Sequence, residues 1–174
     1  MKTTTRLKST MAILLAIVTL SAFASPPDLL QTLHRNQIDW DRYTLKGDIA
    51  SLERLLIFTH TADFRTTDEL NKAGGPRIRT LSQSIQDLRA ALKYLKIIHN
   101  SSKITSVKRS GGKANVRLIV SMTALIPKNK SPDGHSYEGR DIQTLDTIWV
   151  VDGGRWKIKA SKTITDDFVK IRRG

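Results

Sequence analysis

The chain has 174 residues, with 29 lysines and arginines against 16 acidic residues, four histidines and no cysteine. The missing cysteine excludes a disulfide framework, a thiolate metal site and a cysteine nucleophile. The net charge of +13 favours acidic partners or surfaces and says nothing about fold, while 39% hydrophobic and 26% charged residues are globular values that argue against disorder.

Lys2, Arg6 and Lys8 precede an apolar run of ten, Met11 to Leu20, and then Ala22-Phe23-Ala24. That is the pattern of a secretory signal peptide cut after Ala24, and the run falls short of the ~20 residues that span a bilayer. Residues 1–24 are therefore expected to be a removable leader, and 25–174 a single exported domain, periplasmic or extracellular in a bacterium. An uncleaved anchor is the alternative.

Ser25-Pro26-Pro27-Asp28 is a helix start, and Leu29, Leu30, Leu33, Trp40 and Tyr43 follow at roughly helical spacing. Gly47 can end that helix in the left-handed conformation, and Asp48 can cap a second one carrying Ile49, Leu52, Leu55 and Leu56. Ala62 to Asp68 reads as a short strand, and Asn71 to Arg79, with Gly74-Gly75-Pro76, as a loop. Thr80-Leu-Ser-Gln83 has the form of a capping box. It opens an amphipathic helix through Leu81, Ile85, Leu88, Leu92 and Leu95, expected to end at Asn100.

Beyond Asn100 the period changes to two. Strands are expected over Lys103 to Arg109, Val116 to Ile126, Asp141 to Val151 and Arg155 to Ile164. Ser110-Gly111-Gly112 and Asp152-Gly153-Gly154 supply turns, Pro127 to Gly139 a polar loop, and Asp166 to Gly174 a fraying tail. Helices early and a strand meander late define an α+β domain with three helices on one face of an antiparallel sheet.

Several residues in this order resemble the nuclear transport factor 2-like superfamily. They are Trp40…Gly47-Asp48, Ala62-Asp63-Phe64…Thr67-Asp68, the helix from Thr80, and Asp146-Thr-Ile-Trp149…Asp152-Gly-Gly-Arg-Trp156-Lys-Ile158. The resemblance covers about residues 27–164 and implies a cone-shaped fold whose curved sheet and helices enclose a pocket. It includes ketosteroid isomerases, polyketide-cyclase-like proteins and many noncatalytic domains. By that resemblance the proton-transfer base falls on Asp68 and the oxyanion-stabilising acid on Asp146. The tyrosine position holds Trp40, whose indole donates a hydrogen bond but cannot share a proton as a phenol does.

Each residue also has a plainer reading. Asp68 fits an exposed turn. Asp146 shares a strand face with Ile148 and Val150, where a carboxylate must find a partner or become neutral. Trp40, Tyr43, Met122, Ile148 and Trp156 are the expected pocket lining, or simply core. His34, His60, His99 and His135 show no ligand spacing, so neither a metal nor another cofactor is expected. Scattered basic residues without interleaved aromatics argue against nucleic acid.

Ile119, Leu125 and Trp149 make the opposite sheet face apolar, which predicts a homodimer through that face. The leading expectation is an exported noncatalytic domain that binds a small apolar ligand or an envelope protein. The alternatives are an isomerase or cyclase working through Asp68 and Asp146, and an accessory component of an envelope secretion assembly.

Overall fold

A computed structural model describes residues 28–68, 77–131 and 133–173. The leader at 1–24, the helix-start prolines and the Gly74-Gly75-Pro76 loop lie outside the described residues. Helix α1 spans Leu29–Lys46, and the Asp28 side chain accepts from the Leu30 N–H at its start. Gly47 ends it at φ 64°, a conformation glycine adopts without steric cost. The Asp48 carboxylate then accepts from the Ser51 N–H and opens α2, Ile49–Thr59.

Strand β1 is His60–Asp68 and β2 is Arg77–Thr80. Thr80 closes the expected capping box with Gln83 at the start of α3, Leu81–Tyr94. Then come β3 (Lys96–Ser110), β4 (Lys113–Ile126), a short 3-10 turn (Lys128–Lys130), β5 (Ser136–Asp152) and β6 (Arg155–Arg173). The six strands form one unclosed sheet in the order β2-β1-β6-β5-β4-β3. All neighbours are antiparallel except β1 and β6, which run parallel. Register shifts interrupt β3–β4, β5–β6 and β1–β6, and such irregularities bend a sheet.

Four sequence expectations are corrected. Arg77 to Arg79 is strand, paired with β1 from Thr66 to Asp68, and not loop. The third helix stops at Tyr94, because the β-branched pair Ile97-Ile98 enters β3. The polar loop is shorter than expected, since β5 begins at Ser136. The tail from Asp166 does not fray: Asp166 to Arg173 pairs residue by residue with Gln143 to Ser136.

The helices cover one face of the sheet. Leu29 and Leu33 of α1 pack on Ala114, Val116, Trp149 and Trp156, a buried cluster from β4, β5 and β6. Leu52 of α2 is fully buried. This is the α+β arrangement expected from the element order.

Candidate ligand-binding site

Between the helices and the sheet lies a cavity of about 440 Å³. Its floor consists of alternate residues on three strands. β5 supplies Asp141, Gln143, Leu145, Thr147 and Trp149, and β4 supplies Leu118, Val120 and Met122. β3 adds Asn100, Ser102 and Ile104. Period-two alternation puts each set on one face, and the β4–β5 register places Met122 against Asp141 and Leu118 against Leu145. Trp40 of α1 and Leu88, Leu92 and Leu95 at α3 form the roof. His60 closes the side where α2 passes into β1.

The cavity has two chemically different ends. At the Trp149 end the indole N–H donates to Thr147 Oγ1 at 2.9 Å, and that hydroxyl donates to the Val116 carbonyl at 3.0 Å. Those polar atoms are spent on the protein itself, so the surface left to an occupant is largely apolar. His60 Nδ1 lies 2.9 Å from the Leu56 carbonyl, which fixes the N–H on Nδ1 and leaves Nε2 as the acceptor. Burial lowers the His60 pKa to about 4, so the ring is neutral.

The other end is polar. Asn100 donates to Asp41 Oδ1 at 2.5 Å, and burial raises the Asp41 pKa. Gln37 donates to Ser102 at 3.2 Å. Asp141 accepts from Gln143 Nε2 at 2.9 Å through Oδ2, while its buried Oδ1 meets no donor. Burial, then the neighbouring Asp166 carboxyl, pushes the Asp141 pKa up to about 7.

Of the residues singled out from sequence, Trp40 and Met122 line this cavity. Tyr43 does not: it sits on α1 with its hydroxyl accepting from Arg42 at 2.8 Å. Trp156 is buried in the adjoining core beneath the Arg109 guanidinium, 5.1 Å from the ring centroid.

The faces of β5 are reversed from expectation. Trp149 is 3% exposed and lines the cavity, whereas Ile148 is 44% exposed on the outer face. The register explains it, because Trp149 pairs with the core residue Ala114. Asp146 therefore lies in a separate groove on the outer face, with Lys108, Arg117 and Ile148. There Arg117 grips it with two hydrogen bonds of 2.6 and 2.7 Å, and the guanidinium lowers its pKa.

Asp68 ends β1 opposite Arg77 and Thr163 and is not among the cavity residues. The structure thus does not bring Asp68 and Asp146 together in the cavity. Ile119 lies on the outer face, 37% exposed, with half-buried Leu125. Among the described residues no three His, Asp or Glu side chains group as a metal site.

Asp141, Gln143, Asn100 and His60 are not among the site residues expected from the sequence. Asp141 and Gln143 share the two-residue repeat of Trp149, so they come into view only once Trp149 is placed inward. Asn100 was hidden by the overlong helix. His60 showed in the sequence only as a histidine near Asp63 without ligand spacing, whereas the fold turns its ring toward the Leu56 carbonyl and the cavity.

No family model and no curated protein sequence matches the chain. Solved structures do. An NTF2-like protein from Cytophaga hutchinsonii matches at TM-score 0.55 and 10% identity, over 78% of this chain and 97% of that one. A ketosteroid isomerase-like protein from Erwinia carotovora atroseptica matches at 0.54 and 12%, over 80% and 98%. A protein from Kribbella flavida matches at 0.56 and 17%, over 76% and 88%. The chain has the nuclear transport factor 2-like fold, which hosts many chemistries and by itself fixes none.

Proposed function

We propose that the protein is an exported domain that takes a small, largely apolar molecule into the cavity between its helices and sheet. The carrying observation is the cavity itself: about 440 Å³, mainly apolar, with Asn100, Asp141 and Gln143 at one end and the neutral His60 toward the other. That size and lining suit a small-molecule site. The leader pattern at 1–24 supports export.

Catalysis through Asp68 and Asp146 has no comparable support. Asp146 is held by Arg117 on the face away from the cavity, so it cannot donate to a molecule bound inside.

A neutral fluorescent reporter such as N-phenyl-1-naphthylamine tests the reading. It should bind with enhanced emission. Val120→Trp, which fills the cavity floor, should abolish binding while leaving the melting temperature within a few degrees. Full binding by a folded Val120→Trp variant sinks the reading.

A further inference from the structure

The two ends of the cavity imply something about the molecule it holds. The floor follows β5 from Asp141 to Trp149, about 27 Å of extended strand at ~3.4 Å per residue. The Trp149 end and the leucine roof offer mainly hydrocarbon contact, with His60 Nε2 as an acceptor beside it. Polar groups cluster at the Asp141 end.

Those groups stand out in a chain so rich in basic residues. It has 29 basic residues, and seven of its 16 acids pair with one among the described residues. Asp39 pairs with Arg42, Glu53 with Arg89, Asp63 with Lys159 and Asp87 with Arg79. Asp146 pairs with Arg117, Asp152 with Lys157, and Glu138 with both Arg140 and Arg173.

Asp141 and Asp166 have no such partner among the described residues. Asp166 pairs with Gln143 across β5 and β6, so it stands on the cavity side of the sheet two positions from Asp141, at the open margin of the cavity, and its carboxyl helps raise the Asp141 pKa. Asp167, also on β6, adds a third negative charge nearby. Among the described residues no lysine or arginine lines this end, and the one histidine close by, His99, acts on Asp41 behind Asn100. The α3 side presents Leu88, Ala91, Leu92 and Leu95, α1 presents Asn36, Gln37 and Trp40, and the adjoining strands present Asn100 and Met122. Asp41 of α1, behind Asn100, is itself acidic.

Resting on the cavity reading above, we propose that the ligand is a cationic amphiphile: an alkyl or similar apolar tail toward Trp149 and an amine head between Asp141 and Asp166. An ammonium donates to both carboxyls and supplies the charge this end lacks. The overall charge of the protein repels such a ligand, but at physiological salt that repulsion is screened beyond ~8 Å, and contact with the carboxyls outweighs it.

Three probes with one tail and different heads test this: dodecylamine, dodecanol and dodecanoate, each below its micelle concentration, displacing the reporter. An alkylammonium stays charged to about pH 10, as lysine does. The amine should bind at least about tenfold more tightly than the alcohol at pH ~8, and the carboxylate weakest of all. The net charge alone predicts the opposite order for the two ions, so this result cannot come from unspecific attraction.

The amine's advantage should shrink on going to pH ~6, as Asp141 takes up its proton. Asp141→Asn should remove the advantage. Asp166→Asn should reduce it too, and because Asp166 is exposed this variant keeps the fold. Equal affinity for amine and alcohol, tightest binding of the carboxylate, or an unchanged amine preference in a folded Asp166→Asn variant overturns the amine head and leaves the cavity reading standing. If neither alcohol nor amine displaces the reporter, the cavity reading itself falls.

Discussion

His60 and Asp141 sit at opposite ends of one cavity and titrate against each other in stability. Burial lowers the His60 pKa to about 4, from the ~6.5 of an exposed imidazole. Its stabilising share is complete above about pH 6.5 and disappears as pH falls through about 4. The shift corresponds to something on the order of 3 kcal/mol. Asp141 has the other sign. Its folded pKa is raised to about 7, so its share is complete below the unfolded value of ~3.9 and is lost as pH rises through about 7. Asp141 is only partly buried, so solvent screening makes its term the smaller one.

Between about pH 4 and 7 the two slopes oppose, and the unmodified protein should vary little in stability. Single substitutions expose each slope. Asp141→Asn should make stability climb with pH across that window, and His60→Phe should make it decline. Urea unfolding at several pH values reads both, and parallel curves for the two variants would refute the assignment. Asp146 belongs to neither slope, since Arg117 lowers its pKa and moves its titration to still more acid conditions.

At the scale of elements, β6 holds the cavity's polar end together. Its last residues pair with Ser136 to Gln143, and Arg173 reaches Glu138, a carboxylate only 2% exposed that Arg140 also holds at 2.6 Å. Ending the chain after Thr165 should cost roughly 2–4 kcal/mol, because the strand ladder goes and Glu138 keeps one cation of two. Thr80→Ala, which opens the capping box of α3, should cost about 1 kcal/mol. Denaturant midpoints should rank the truncation well below the cap variant.

The legibility of the sequence follows the same lines. Caps and long-range periodicity are local signals, so Asp28, Gly47, Asp48 and Thr80 marked the helix ends and the β4 core face could be read directly. The faces of β5 could not be read that way. Leu145, Thr147 and Trp149 alternate with Asp146, Ile148 and Val150, and both sets carry apolar residues. Only pairing with β4 decides between them, and pairing is a long-range fact. The strand at Arg77–Thr80 is four residues long, and the end of β6 interleaves Phe168, Val169 and Ile171 with five charged residues, so both declare themselves only through their partners. The cavity residues Asp141 and Gln143 inherited the error on β5.

For the whole molecule, the outer sheet face decides whether it works alone. Ile119, Ile142, Ile148, Val169 and Ile171 lie there, each more than a third exposed. Such grouping is unusual on a monomer and supports self-association through this face. The full chain carries +13 and stays strongly basic without Lys2, Arg6 and Lys8 of the leader, and Lys108 and Arg117 sit beside the patch, so approach of two copies is opposed at long range. Hydrophobic association against charge repulsion should tighten as salt screens the charges, the reverse of an interface built on ion pairs. Sedimentation should therefore show a dimer at micromolar concentration whose dissociation constant falls between ~10 mM and ~150 mM salt.

Ile119→Glu with Ile142→Glu should give a folded monomer. Trp149→Ala should behave differently. It removes a buried indole from the core, costs about 3–5 kcal/mol and leaves the mass of the folded fraction unchanged. A monomer at every salt concentration, or a dimer that survives the paired glutamates, assigns this face to solvent and removes the apolar sheet patch as the interface.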